Sequence, residues 1–238
     1  VEGESHIVIG DLDGTTYVNG IPAITRNVYG GGEGGGIVGN SYVTVNNVFI
    51  GYRYKNTGTT DTPVYKYVEE LDDKDEGDNL LDRGGNVFGG GYVANSFVDH
   101  SHLTMYGGIV RGSLYGGGEI GPIGRGTMSY TKEYAVSKGG IFNQGASIFK
   151  AGTSNVTLYD GTVLRNVFGG GRGYDNWGGN GYMTDEEKET MDLSAKGYVF
   201  GQTRVNIYGG EVGTEEGMKE EKETGVSVGN VFGGGDVG

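Results

Sequence analysis

A chain of 238 residues with 52 glycines, three prolines and no cysteine is not collagen, which needs glycine at each third position and abundant proline, and it has no disulfide or thiol chemistry. Its net charge of −13 argues against nucleic acid, whose phosphates call for a basic stripe, and against an anionic membrane surface. No apolar run approaches the roughly 20 residues that span a bilayer, so no membrane insertion is expected, and 17 tyrosines with eight phenylalanines recurring in register exclude wholesale disorder.

Two short phrases alternate along the chain. Phrase A is apolar, polar, apolar, and often then tyrosine; phrase B is an aliphatic residue, an aromatic and three glycines. A opens at Ile7-Val8-Ile9, and B follows at Asn27-Val28-Tyr29-Gly30-Gly31-Gly32. A returns at Val43-Thr44-Val45 and B at Asn86-Val87-Phe88-Gly89-Gly90-Gly91. The next pair is Leu103-Thr104-Met105-Tyr106 with Ser113-Leu114-Tyr115-Gly116-Gly117-Gly118. Then come Val156-Thr157-Leu158-Tyr159 with Asn166-Val167-Phe168-Gly169-Gly170-Gly171, and Val205-Asn206-Ile207-Tyr208 with Asn230-Val231-Phe232-Gly233-Gly234-Gly235. Period-two alternation rich in β-branched residues marks half-buried strands. Glycine inside a helix costs about 1 kcal/mol relative to alanine, so a helical reading fails almost everywhere. Fivefold recurrence means a repeat architecture, in which stacked units bury one continuous core.

In the tightest units Tyr106 and Tyr115, and Tyr159 and Phe168, are nine residues apart. Ile24, Val110 and Val163 each lie four before the aliphatic of phrase B. Same-parity counting puts them on the face of Val28, Leu114 and Val167, the core side. The opposite parity presents Tyr29, Phe88, Tyr115, Phe168 and Phe232, which form an aromatic ladder if copies stack at about 4.8 Å. Segments 52–85, 119–155, 182–196 and 214–224 read as inserted loops. The second has apolar residues enough for a further hairpin, and the third has the acidic first turn of a helix start. The expected fold is all-β: one elongated repeat domain over 1–238, a parallel β-helix or β-solenoid with inserted loops. The alternative is stacked antiparallel hairpins, with Gly107-Gly108 and Asp160-Gly161 as the turns between A and B. Beginning at Val1 and stopping just after a B phrase, the chain reads as a piece of a longer protein.

Several local patterns look like chemistry. Ile7-Val8-Ile9-Gly10-Asp11-Leu12-Asp13-Gly14-Thr15 resembles the first motif of the haloacid dehalogenase phosphatases. There an apolar strand delivers a nucleophilic aspartate and a second aspartate two residues on acts as acid and base; Asp11 and Asp13 would hold those places. That fold also needs helices, a distant lysine and a further acidic pair, whereas glycine-broken strands follow here, so the repeat reading makes this an A strand and an Asp-Gly turn. Gly170-Gly171-Arg172-Gly173-Tyr174-Asp175 matches one copy of the calcium β-roll phrase, and Asp73, Asp75 and Asp78 place carboxylates as hard cations like them. Calcium at these four aspartates is the candidate ion, and no other cofactor is expected. His100 and His102 share a strand face but lack a clear third metal ligand. Trp177, with Tyr174 and Tyr182 beside it, offers rings that stack on a sugar or cap the core. No nucleophile elbow or phosphate loop appears, and the acid pair of a glycosidase cannot be picked out among 31 acids.

The phrase Gly-Asn-Val-Phe-Gly-Gly-Gly, preceded by a strand, tyrosine and paired glycines, resembles the glycine-rich repeats of very long surface or secreted proteins of Bacteroidetes. Val205 to Val212 with Val228 to Gly235, and Val156 to Gly171, carry it most clearly. The resemblance covers about two thirds of the chain, the inserted loops lying outside it. It implies an adhesin-like or filament-forming cell-surface protein and brings no catalytic residues. The expected function is therefore a structural or adhesive extracellular segment without catalysis. Its expected partners are itself, other cell-surface proteins and glycans. The alternative is a carbohydrate-active β-helix, a glycan-binding module or polysaccharide lyase, with Arg111, Arg165 and Arg204 as its basic candidates.

Overall fold

The structure, a computed structural model, describes residues 1–10, 24, 26–56, 65–67, 80–83, 85–129, 145–173, 197–213 and 228–236. Among these, nineteen strands numbered in chain order make an all-β fold without a helix. The A phrases build a first sheet: β1 (Ser5–Ile9), β3 (Ile37–Val45), β9 (Val98–Met105), β14 (Gly152–Leu158) and β17 (Gly201–Ile207), side by side in that order. The B phrases build another from β2 (Val28–Tyr29), β8 (Val87–Phe88), β11 (Leu114–Tyr115), β16 (Val167–Phe168) and β19 (Val231–Phe232). All neighbours in both sheets are parallel and in register: Val43 pairs with Leu103, Leu103 with Val156 and Val156 with Val205.

The antiparallel alternative does not hold, because A and B strands lie in different sheets. Gly107-Gly108 and Asp160-Gly161 do not fold A back onto B; they lead into a sheet that phrase-counting did not separate. It consists of β4 (Val48–Ile50), β10 (Gly108–Val110), β15 (Thr162–Val163) and β18 (Glu211–Val212), again all parallel. Val110 and Val163 belong here rather than to the strand of phrase B, and Ile24 bridges to Ile50. They face the core with Val28, Leu114 and Val167 as expected, but from a separate strand, since the turn at 111–113 or 164–166 redirects the chain between the two. Each full pass thus contributes three strands instead of two. Their inward side chains meet in one cluster: Val43, Leu103 and Val156 from the first sheet, Ile50, Val110 and Val163 from the second, and Val87, Leu114 and Val167 from the third. Burying each such side chain is worth about 1.5–3 kcal/mol.

The insertions have structure of their own. Within 52–85, β5 (Tyr52–Asn56), β6 (Tyr65–Tyr67) and β7 (Leu80–Arg83) pair antiparallel around β5. The segment leaves at Gly51 and returns at Gly85, with φ of +94° and +90°; a Cβ on Gly51 would lie 2.5 Å from the Gly85 Cα. Both sites therefore need glycine, for the left-handed backbone and for the approach. The insertion expected at 119–155 is shorter than that. Ile123 first bridges Val98 and Val199 in parallel, and 152–155 already belongs to β14. What is left is an antiparallel hairpin of β12 (Arg125–Ser129) and β13 (Gly145–Lys150). The fully buried Asp99 carboxylate anchors it through Arg125 Nε at 3.2 Å and through Lys150 Nζ. The insertions expected at 182–196 and 214–224 lie outside the described residues.

The glycine triplets mark where backbones come closest. A Cβ on the middle glycine of a triplet would meet the backbone nitrogen of the third glycine in the next copy: 2.7 Å for Gly31, 2.6 Å for Gly90, 2.5 Å for Gly117 and 2.7 Å for Gly170. A backbone atom cannot swing aside as a side-chain tip can, so an added methyl has to push the copies apart. Gly117→Ala is expected to lower stability by about 2–4 kcal/mol. Gly34→Ala, with open space around its Cβ, is expected to be near neutral; urea unfolding midpoints of the two variants against the parent check this.

Candidate functional site

In-register pairing turns each position of the phrase into a column of side chains, and the columns are where this molecule's chemistry lies. One column explains the asparagine that opens phrase B. Asn86 N–H donates to Asn27 Oδ1 at 3.1 Å, Ser113 N–H to Asn86 Oδ1 at 2.9 Å, Asn166 N–H to Ser113 Oγ at 3.2 Å and Asn230 N–H to Asn166 Oδ1 at 2.9 Å. A second column ties the first sheet to phrase B within each pass. Ser5 Oγ donates to the Gly30 carbonyl at 2.9 Å, Ser101 to Gly116 and Ser154 to Gly169 each at 2.6 Å, and Ser41 likewise to Gly89. Reading the sequence for catalytic patterns missed both columns. The signal for the second is the serine two residues before each of the first four A phrases, visible only when the copies are aligned on one another.

Tyr29, Phe88, Tyr115, Phe168 and Phe232 lie one over the next, with centroid separations of 5.0, 4.8, 4.9 and 4.9 Å and ring planes within 12° of parallel. Phe88, Tyr115 and Phe168 are buried and form a cluster of their own, with Tyr29 packed against it. The two phenols find carboxylates: Tyr29 OH donates to Glu119, which also accepts from Arg172 Nη1 at 3.0 Å, and Tyr115 OH donates to Asp236 Oδ2 at 2.9 Å. Burial and these carboxylates push both phenols above the usual tyrosine range, which keeps them neutral donors.

The outward face of the first sheet is open to solvent. His6, Tyr42 and His102 stack at 4.7 and 4.9 Å. Four residues further along the strands, Tyr106, Tyr159 and Tyr208 stack at 5.0 and 5.2 Å, and Tyr208 is 70% exposed. Between these ring columns runs a column of short side chains, Val8, Thr44, Thr104, Thr157 and Asn206. His100 and His102 share this face, but each has a neighbour in the adjacent strand: His100 Nδ1 lies 3.0 Å from Thr153 Oγ1 and His102 Nδ1 lies 3.4 Å from Asn155 Nδ2. Among the described residues no three histidines and carboxylates are grouped to hold a metal.

The other residues singled out from sequence fall elsewhere. Tyr174, Trp177, Tyr182, Asp73, Asp75, Asp78 and Asp175, with Asp11 and Asp13, lie outside the described residues. Arg111 sits over the Phe49 ring at 5.2 Å. Arg111 and Arg165 each follow a strand of the second sheet, whereas Arg204 is on β17 of the first. No family model, no curated protein and no solved structure matches the chain.

Two outcomes are expected from these columns. Asn166→Ala removes the acceptor of the Asn230 N–H and is expected to cost about 1–2 kcal/mol in urea unfolding. Burial, with His100 adding to it, holds His102 below the ordinary histidine value of 6.5. The unfolded chain then binds the proton more readily than the folded one, so stability is lost as pH falls through the unfolded value toward the folded one. The parent is expected to lose more stability than His102→Gln between about pH 7.5 and pH 5, as read from urea midpoints along a pH series.

Proposed function

We propose that this chain is a segment of an extracellular β-solenoid with a structural or adhesive role and without catalysis. The observation that carries the reading is like-over-like register. From the second pass on, the chain returns to each of the three sheets one strand spacing further on, and at the inward and ladder positions of the phrases like residues lie over like. A fold of that kind grows by adding passes and displays columns along its length, which suits a scaffold. The acidic composition and the lack of cysteine are compatible with a surface location, and partners of this role are further copies of the chain or other cell-surface proteins. The lyase reading has less support, since it needs acids facing a basic residue on one surface. The outward positions of the first-sheet strands carry Arg204 on β17, and the carboxylate that reaches this face, Glu4, lies at the opposite edge, against His6 of β1 and Asn40 and Tyr42 of β3.

A chain without cysteine allows a direct test of the stacking. Thr104 and Thr157 are register partners, so the double variant Thr104→Cys with Thr157→Cys is expected to form an intramolecular disulfide in mild oxidant, while Thr104→Cys with Thr127→Cys is not. Absence of the first bond rejects the solenoid. Antibody labelling of intact cells of the source organism tests exposure: labelling without permeabilisation is expected, and labelling only after permeabilisation rejects the surface role.

A further inference from the structure

The outward face of the first sheet has a shape as well as a composition. Thr44, Thr104 and Thr157 have short side chains, and the rings of Tyr42 and His102 on one side and of Tyr106 and Tyr159 on the other are long. The threonine column is therefore the floor of a shallow trough with aromatic walls, running across the strands in the direction of stacking. Columns on one face are two residues apart, about 7 Å, so the walls stand about 14 Å apart at their bases. Both walls flank Thr104. The histidine-containing wall covers β1, β3 and β9, and the tyrosine wall covers β9, β14 and the end of β17.

The charge of this face sets it apart from the rest of the chain. The sequence holds 31 acids and 18 basic residues. The outward positions of the five strands hold Arg204 as their one lysine or arginine and no acid; the one carboxylate that reaches them is Glu4, just before β1, which accepts from Asn40 Nδ2 at 3.0 Å and Tyr42 OH at 3.4 Å and lies 3.1 Å from His6 Nε2 at the far end of the face from Arg204. What they present is hydroxyl, amide and imidazole, groups that both donate and accept. Neutral donor–acceptor pairs backed by rings match the hydroxyls and C–H faces of sugars. A polyanion or a basic protein would call for fixed charges. The aliphatic core that protein–protein interfaces favour is sparse, for Val8 and Val38 are the exposed aliphatics on this face. Threonine recurs on three successive strands, β3, β9 and β14, about 4.8 Å apart, with Val8 before it and Asn206 after it in the same column, so the matching partner is one that itself repeats at a comparable step. A polysaccharide lying along the trough does so, one sugar per strand.

We propose that this trough binds an extended, uncharged polysaccharide parallel to the stacking direction, with the threonine hydroxyls and neighbouring amides hydrogen-bonding to sugar hydroxyls and the ring walls holding the chain in place. The inference rests on the scaffold reading above for the permanence of the columns, and it adds the ligand class and the site.

The test is affinity electrophoresis of the whole chain through gels containing dextran, glucomannan, xyloglucan or arabinoxylan, with pectate, alginate and chondroitin sulfate as charged counterparts. At least one neutral polymer is expected to retard the protein. Thr104→Glu, which puts a carboxylate on the trough floor, is expected to weaken that retardation by about tenfold or more. Thr104→Ser keeps the hydroxyl and is expected to retain it, as is Thr127→Glu on the β12–β13 hairpin. Urea midpoints of the variants establish that each is folded. Oligosaccharides of the bound polymer are expected to gain affinity with length until they span the five strands and then level off. Retardation by the charged polymers alone, none by any polymer, or insensitivity to Thr104→Glu overturns the proposal. So does a dimer in sedimentation equilibrium that Thr104→Glu dissolves, which would make the face a contact between copies. If the disulfide of the Thr104→Cys, Thr157→Cys double variant forms and no glycan binds, this inference falls and the scaffold reading stands; if that disulfide fails to form, the scaffold reading is the one that falls.

Discussion

Parallel strands paired residue for residue put every side chain about 4.8 Å from its equivalent on the next strand. At that distance a column tolerates only groups that attract or ignore their own kind. Rings stack, aliphatics pack and threonines hydrogen-bond, but repeated carboxylates repel. Amides serve best of all at the entry to phrase B, because one Asn side chain accepts the backbone N–H of the next copy, as Asn27 does for Asn86 and Asn166 for Asn230. The recurrence of whole phrases follows from this one spacing. So does the lack of acids at the outward strand positions of the first sheet in a chain of net charge −13, because a column of acids there would oppose the pairing that builds it.

The same backbone proximity accounts for the glycines. At the triplets, one copy's middle glycine nearly touches the backbone nitrogen of the next, and no side chain larger than hydrogen fits. Where the chain departs from the stack it does so through facing glycines, as at Gly51 and Gly85. A long excursion can then begin and end at one point without disturbing the columns above and below. Insertions are thus confined to corners, and the sheets keep their register through them. The hairpin of β12 and β13 shows the further requirement that an excursion be held down: the buried Asp99 carboxylate meets two cations supplied by the hairpin itself.

Columns of this kind divide between two tasks. The inward aliphatics, the serine clips and the covered ring ladder hold the passes together. Their chemistry is used up in doing so, with the phenols of Tyr29 and Tyr115 committed to Glu119 and Asp236. The outward columns of the first sheet face solvent and carry hydroxyls, amides and rings spaced at a fixed interval, with Arg204 at one edge. The proposed polysaccharide site follows from that division: a surface whose groups repeat at the strand spacing is matched by a polymer that repeats at a similar step.

Sequence alone determined that the chain is built of strands, that A and B phrases form separate sets, and that Tyr29, Phe88, Tyr115, Phe168 and Phe232 are equivalent. These are properties of spacing within one phrase, and local alternation and glycine chemistry dictate them. Tertiary structure decided the rest. The second sheet was hidden because Val110 and Val163 are separated from phrase B by a corner: odd–even counting put them on the core side but does not tell one bent strand from two. The serine clips were hidden because Ser101 and Gly116 are neighbours only once the first and third sheets face each other. The trough was hidden because each wall is assembled from several passes: His6 and Tyr208 share a face only through three intervening strands. Which residues meet across a turn or between passes depends on the path of the backbone in space, and phrase spacing alone does not specify that path.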